Sequence, residues 1–225
     1  MDKPKTKRRK KEKPQRFDPF ILIDLALNVW IAFMFFQTWS TPFGTDIDRV
    51  YTLSTMIVFE FVMIHSGILM SAFPLKFTLF IFFPFYGLFA FVFNMSVSDN
   101  TILYLYLVVV LNRMRFAFYN VDQETKRRNI RMSVYALCIY IFIFLTVASS
   151  PKIVPELGLT HEFLKIMGYQ PHGTGILNDE PKISMCIGFL YYIALALFDM
   201  IVFGNSLISL IKRQISVTKY NNRHL

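Results

Sequence analysis

Charge is scarce in this 225-residue chain, and acid is scarcer than base. Asp, Glu, Lys and Arg make up 17% of it, with 15 acidic side chains against 24 basic ones. Soluble domains carry about 25% charged residues, so this composition excludes a soluble globular enzyme, and the 54% apolar content excludes a disordered regulator. Cysteine is nearly missing. Cys138 and Cys186 lie far apart inside apolar runs, with no CxxC pair and no metal-spaced Cys/His set. That excludes a disulfide scaffold, a thiol-exchange motif and a zinc ribbon, and leaves both as small apolar fillers. GxSxG, HExxH and paired-Glu protease signatures are missing too. The net charge of +9 does not indicate nucleic-acid binding, because the basic residues stand at the ends of apolar segments and form no basic domain of their own.

What the chain does contain is apolar runs, with 25 Phe among its residues. A helix needs about 20 apolar residues to cross a hydrocarbon core of roughly 30 Å. That length predicts an all-α, polytopic integral membrane protein: a single bundle of six transmembrane helices over residues 17–211. The spans run from about Phe20 to Trp39, Val50 to Phe73, Leu75 to Met95, Thr101 to Tyr119, Met132 to Ser149, and Ser184 to Ile211. Asn112, Arg113 and Arg115 interrupt the inner half of the fourth.

Positive charge sets the direction. With the N-terminus in the cytoplasm, the inner segments hold 20 Lys and Arg and the outer loops 4, which predicts N-in and C-in. Residues 1–16, MDKPKTKRRKKEKPQR, hold nine of the basic residues and read as a disordered cytoplasmic tail; residues 212–225 form a second, shorter basic tail. The apolar stretch after the first tail is too long for a signal-peptide core and has no A-x-A site behind it, so it reads as an uncleaved anchor. The bilayer is the expected partner, with anionic headgroups meeting the N-tail at about 1 kcal/mol per basic residue. A membrane-protein partner or a second copy of the chain also fits. A bacterial cytoplasmic (inner) membrane is the plainest location for so compact a chain.

Local signals refine the spans. Asp18 and Pro19 suit the start of the first helix. Pro84 predicts a kink in the third span, and Gly87 allows a close neighbour there. The loop Ser150–Ile183, about 34 residues long, far exceeds the 2–8 typical of helix bundles. Its first half, PELGLTHEFLKIMGY, predicts a short amphipathic helix with Phe163, Leu164, Ile166 and Met167 as an interfacial face. His161, His172, Asp179 and Glu180 in the same loop lack the spacing of a metal site, so the loop reads as a solvated outer cap. No metal and no cofactor are expected.

Ionisable residues at membrane depth are costly and mark candidate sites. Asp24, Glu60, His65, Asp199 and Arg113 qualify, with Asn28, Asn112 and Asn205 nearby in sequence. At ~1.5 Å per residue, Asp24 and Arg113 lie about 10 Å inside the cytoplasmic end, and His65 and Asp199 about 22 Å from the outer one. Glu60 stands about 15 Å from either surface. Asp24 and Asn28 are i, i+4, so the amide can solvate the carboxylate; Glu60 and Gly67 share a face that Ser71 extends; Gly188, Leu195, Asp199 and Ser206 share another. These placements predict a cytoplasm-facing cavity lined by Asp24, Arg113, His65 and Asp199, with Glu60 at its closed end, carrying protons or cations. Two other classes fit the residues: a non-catalytic assembly protein built on the small-residue faces, and an intramembrane metal-dependent or acid/base enzyme, for which FEFVMIHSG is the nearest thing to a signature. No residue stands out as a catalytic one.

Overall fold

The structure, a computed structural model, describes residues 20–43, 47–95, 97, 100–118, 123–171 and 175–221. The basic tail 1–16, His172, and the side chains of Ser71, Asn112, Arg113, Asn205, Ser206 and the C-terminal basic segment lie outside the described residues. Among those described, the chain is all-helical, without strands. The helices are α1 (Phe20–Ser40), α2 (Ile47–Ala72), α3 (Leu75–Phe77), α4 (Phe83–Asn94), α5 (Thr101–Phe118), α6 (Gln123–Ala148), the short α7 (His161–Ile166) and α8 (Ile176–Asp179), and α9 (Pro181–Asn221). Four stretches are long and apolar enough to cross a membrane: Leu22–Ser40, Ile47–Met70, Ile130–Ala148 and Pro181–Ile201. The apolar helix Thr78–Asn94 is shorter.

Prolines and small polar residues set the breaks. Pro42 follows the end of α1, where the Thr41 amide donates to the Gln37 carbonyl at 2.9 Å. Pro74 ends α2, and the buried Thr78 hydroxyl returns to the Met70 and Pro74 carbonyls. Pro84, the residue expected to disturb its helix, is preceded by a π-helical turn, Thr78–Phe82, with the Phe83 N–H donating five residues back to Thr78. A widened turn is one way to accommodate the missing donor and bulky ring of proline. At Gly87, an added Cβ would sit 3.2 Å from the Tyr106 hydroxyl, which donates to the Phe83 carbonyl. The Asn94 carboxamide orders the next turn, accepting from the Leu103 amide at 3.3 Å and donating to Asn100 Oδ1 at 3.1 Å.

α2 is the hub. It packs on α1, α4, α5, α6 and α9, and buries Val50, Leu53, Met56, Ile57, Phe59, Met63, Ile64 and Met70. Those positions cover one half of the helix, while Phe61 is exposed, so α2 turns one broad face into the protein. α1 packs chiefly on α9, while its other face exposes Trp30, Phe33 and Phe36, and α6 exposes Phe142 and Leu145. Exposed rings at that density suit hydrocarbon rather than water. At ~1.5 Å per residue the 41-residue α9 is about 60 Å long, roughly twice a hydrocarbon core.

Residues 150–171 and 175–180 form a folded cap. The Trp39 indole donates to the Pro155 carbonyl, and the Gly158 amide to the Trp39 carbonyl, both at 3.0 Å. These bonds hold Leu157 at φ 50, a left-handed conformation. Tyr51 stacks on Tyr169 at 4.8 Å; its hydroxyl donates to the Gln170 carbonyl at 2.8 Å and accepts from the Gln170 amide at 2.7 Å. Tyr169 donates in turn to the Asn178 carbonyl, and Lys182 lies 3.5–3.6 Å from Glu180 and Glu156. Burial, then the charges of Tyr51 and Asp179, push the Tyr169 phenol well above its usual value. Thr160 caps α7 by accepting from the Phe163 amide, and Gly168, at φ 69, ends the turn that follows. Phe163 and Leu164 pack inward on the core, whereas Ile166 points away, so the expected interfacial face is divided between the two sides.

Candidate functional site

Glu60 sits midway along α2 and is 7% exposed. Two consecutive tyrosines on α9 reach it, one for each carboxyl oxygen. Tyr191 donates to Oε1 at 3.2 Å and Tyr192 to Oε2 at 3.3 Å. Successive helical positions point about 100° apart, so a Tyr-Tyr pair can straddle one carboxyl. A third phenol, Tyr140 on α6, donates to the Ile57 carbonyl at 2.8 Å, a turn away from Glu60. The rings hold one another: Tyr140 meets Tyr191 edge-on at 5.3 Å, Tyr191 meets Tyr192 at 5.1 Å, and Phe35 of α1 stacks on Tyr192 at 5.9 Å. Behind Phe35 stands Gly188, where a Cβ would come within 2.3–2.5 Å of the Phe35 ring.

A phenol both donates and accepts, and its O–H can turn. Ionised, Glu60 accepts from two hydroxyls; protonated, it can donate to one phenolic oxygen and accept from the other. The same heavy-atom positions serve both states. The site can therefore hold a proton or release it without repacking.

A second polar cluster lies one step along the α1/α9 seam. Asn28 Nδ2 donates to Asp199 Oδ2 at 2.9 Å, and Asp24 is near enough for its charge to act on Asp199. Asn28, expected from its i, i+4 spacing to serve Asp24, reaches Asp199 across the seam, where the α1 and α9 stripes face each other. Tyr192 and Asp199 are i, i+7 on α9, so the two clusters lie on one face about 10 Å apart.

The sequence-predicted residues thus fall into separate groups. Asp24 and Asp199 come together, Glu60 is held by tyrosines, and His65 joins neither. His65 Nδ1 bonds the Phe61 carbonyl of its own helix at 2.7 Å, which requires the N–H on Nδ1, and its ring lies edge-on to Phe61. The side chain of Arg113 lies outside the described residues. Among the described residues no three His, Cys, Asp or Glu gather in a form that would hold a metal ion. Sequence reasoning missed Tyr140, Tyr191 and Tyr192. The available signal was hydroxyls inside apolar runs, since a buried Tyr needs an acceptor just as a buried Glu needs donors. Comparison with protein families, curated proteins and solved structures finds no match to this chain.

Proposed function

We propose that this chain is a six-span membrane protein, both termini cytoplasmic, that moves protons or a coupled cation through the bundle by way of Glu60 and the Asp24–Asn28–Asp199 cluster. One observation carries the reading: a carboxyl enclosed at mid-helix between two phenolic donors, able to change protonation state in place. Asp199, on the same α9 face about 10 Å away, supplies a second acid station toward the far end of α1. Six spans follow from counting the helices Leu75–Asn94 and Thr101–Phe118 as crossings beside the four longer ones. The inner location of both termini follows from the 20 basic residues that it keeps in the cytoplasm. On this reading residues 1–16 lie against anionic headgroups, and a bacterial inner membrane is the location the proposal adopts.

The test is proton flux in liposomes loaded with a pH-sensitive dye, under an imposed potassium-diffusion potential. Wild type should acidify the lumen faster than protein-free vesicles, and Glu60→Gln should return the rate to that background. A wild-type rate equal to that of protein-free vesicles, or an undiminished rate in Glu60→Gln, overturns the proposal. Stoichiometric co-purification of another membrane protein in the first case would favour an assembly role.

A further inference from the structure

Four apolar side chains project from the cap end of the bundle instead of joining its core. Phe43 is 65% exposed, Ile153 81% and Ile166 75%, and Leu157 is exposed as well. Their level is set by the chain. Phe43 follows the Leu22–Ser40 span by three residues, and Ile153 follows Ile130–Ala148 by five. Bonds from the Ile153 amide to Ser150 and from Val154 to Pro151 coil that segment, so it does not climb away from the end of α6. Tyr51, bonded to Gln170, lies within the Ile47–Met70 span, which holds the cap just beyond α7 down at the level of the second turn of α2.

Two further features point to what these side chains meet. Exposed lysines precede two of them directly, as Lys152–Ile153 and Lys165–Ile166. An apolar tip beside a flexible ammonium is the pairing that suits the boundary between acyl chains and phosphates. Leu157, moreover, occupies a left-handed backbone position at φ 50 that glycine or asparagine would fill with less strain.

We propose that the cap is an interfacial anchor: Phe43, Ile153, Leu157 and Ile166 insert into the headgroup–acyl boundary of the same bilayer the helices cross, with Lys152 and Lys165 reaching lipid phosphates. The proposal rests on the helices spanning a membrane and is independent of proton transfer at Glu60. It makes the cap a lid fixed to the lipid surface rather than a loop standing in water.

Nitroxide labels on single cysteines, in full-length protein lacking Cys138 and Cys186 and reconstituted in phosphatidylcholine–phosphatidylglycerol vesicles, read this directly. Collision with oxygen reports lipid, and collision with a water-soluble nickel chelate reports solvent. Labels at Ile153→Cys and Ile166→Cys should collide with oxygen several-fold more than with nickel, at a depth shallower than a label at Phe142→Cys on α6. Nickel-accessible labels at 153 and 166, with a lipid reading at 142, overturn the anchor and leave the spanning helices standing. Labels shielded from both reagents mean a protein covers the cap, which also overturns it. A water reading at 142 rejects the membrane span itself, and the anchor with it.

Discussion

Adding one methyl group at Gly188 should loosen the whole α1/α9 seam, while the same change sixteen residues further along α9 should not. A Cβ on Gly188 would stand 2.3 Å from Phe35 Cε1, 2.4 Å from Cδ1 and 2.5 Å from Cζ. Ordinary carbon contacts lie at about 3.5–4.0 Å, so ring and helix must part by roughly 1 Å. Phe35 is fully buried and stacked on Tyr192, so its ring has no free space to turn into. Overpacking of this kind costs about 1–3 kcal/mol, and the helical preference of Ala over Gly returns about 0.5–1 kcal/mol. From the middle of each range, the net for Gly188→Ala is a loss of about 1.2 kcal/mol, or about 2–5 °C in Tm for a chain of this size. At Gly204, among the described residues, nothing lies within 4 Å of the added Cβ, so Gly204→Ala should be neutral or raise Tm slightly. Thermal unfolding in detergent, followed by tryptophan emission, gives both values from matched samples. Phe35 backs Tyr192, so Gly188→Ala should also slow proton flux without touching a polar group. Equal Tm for the two variants, or a larger fall at Gly204, would refute this account of the seam.

The Glu60–Tyr192 bond can be weighed by a double-mutant cycle. Glu60→Gln and Tyr192→Phe should each change stability, with a coupling of about 0.5–3 kcal/mol, and purely additive effects would mean the bond carries nothing. Gly158→Ala would place a Cβ 2.2 Å from Pro42 Cδ and 2.7 Å from the Ser40 carbonyl oxygen, so the cap should lift from α1. Limited proteolysis within 150–180 should accelerate several-fold, and an unchanged digestion pattern would count against a docked cap. Tyr169 has its folded phenol value raised above the ordinary 10.0, chiefly by burial. Its contribution is therefore fully present below pH 10 and is lost as the pH climbs past that value. Wild-type unfolding temperatures should fall more steeply above pH 10 than those of Tyr169→Phe, and parallel curves would contradict the shift.

Phase along a single helix was legible in the sequence; pairing between helices was not. Spacing alone put Gly188, Leu195 and Asp199 on one face, and Gly188 does meet Phe35 across the α1/α9 seam. Depth arithmetic singled out Glu60 as an acid to watch, and the structure shows it buried within the protein at the middle of α2, while its depth in a bilayer belongs to the proposal. The two tyrosines that hold it come from α9, 131 and 132 residues away in the chain, and no periodicity within α2 points to them. Asn28 illustrates the same limit. Its i, i+4 relation to Asp24 was visible, but its bond to Asp199 on the facing helix was not. Pro84 announced a disturbance, while the widened turn it takes here, at Thr78–Phe82, had no mark of its own in the sequence. The cap was legible as a long segment, yet its order comes from Trp39 and Tyr51, which lie outside it.

Whether Glu60 is there for packing or for chemistry can be argued from its neighbour Tyr140. That phenol ties α6 to α2 through the Ile57 carbonyl, at the level of Glu60, using no ionisable acid. The same device recurs where the cap meets the bundle: Trp39, Tyr51 and Ser184 all donate to backbone carbonyls. Clamping α9 to α2 would have needed only another such bond from Tyr191 or Tyr192. A carboxyl in that place faces a cost, if charged and unpaired at the bilayer centre, of about 2.5–3.5 kcal/mol, and well-packed apolar residues can often replace buried charged groups without loss of stability. The fold has a cheaper clamp at hand and uses it one turn away. What a carboxyl adds that a carbonyl does not is the ability to take up and give back a proton, and the proposed transport role rests on that difference.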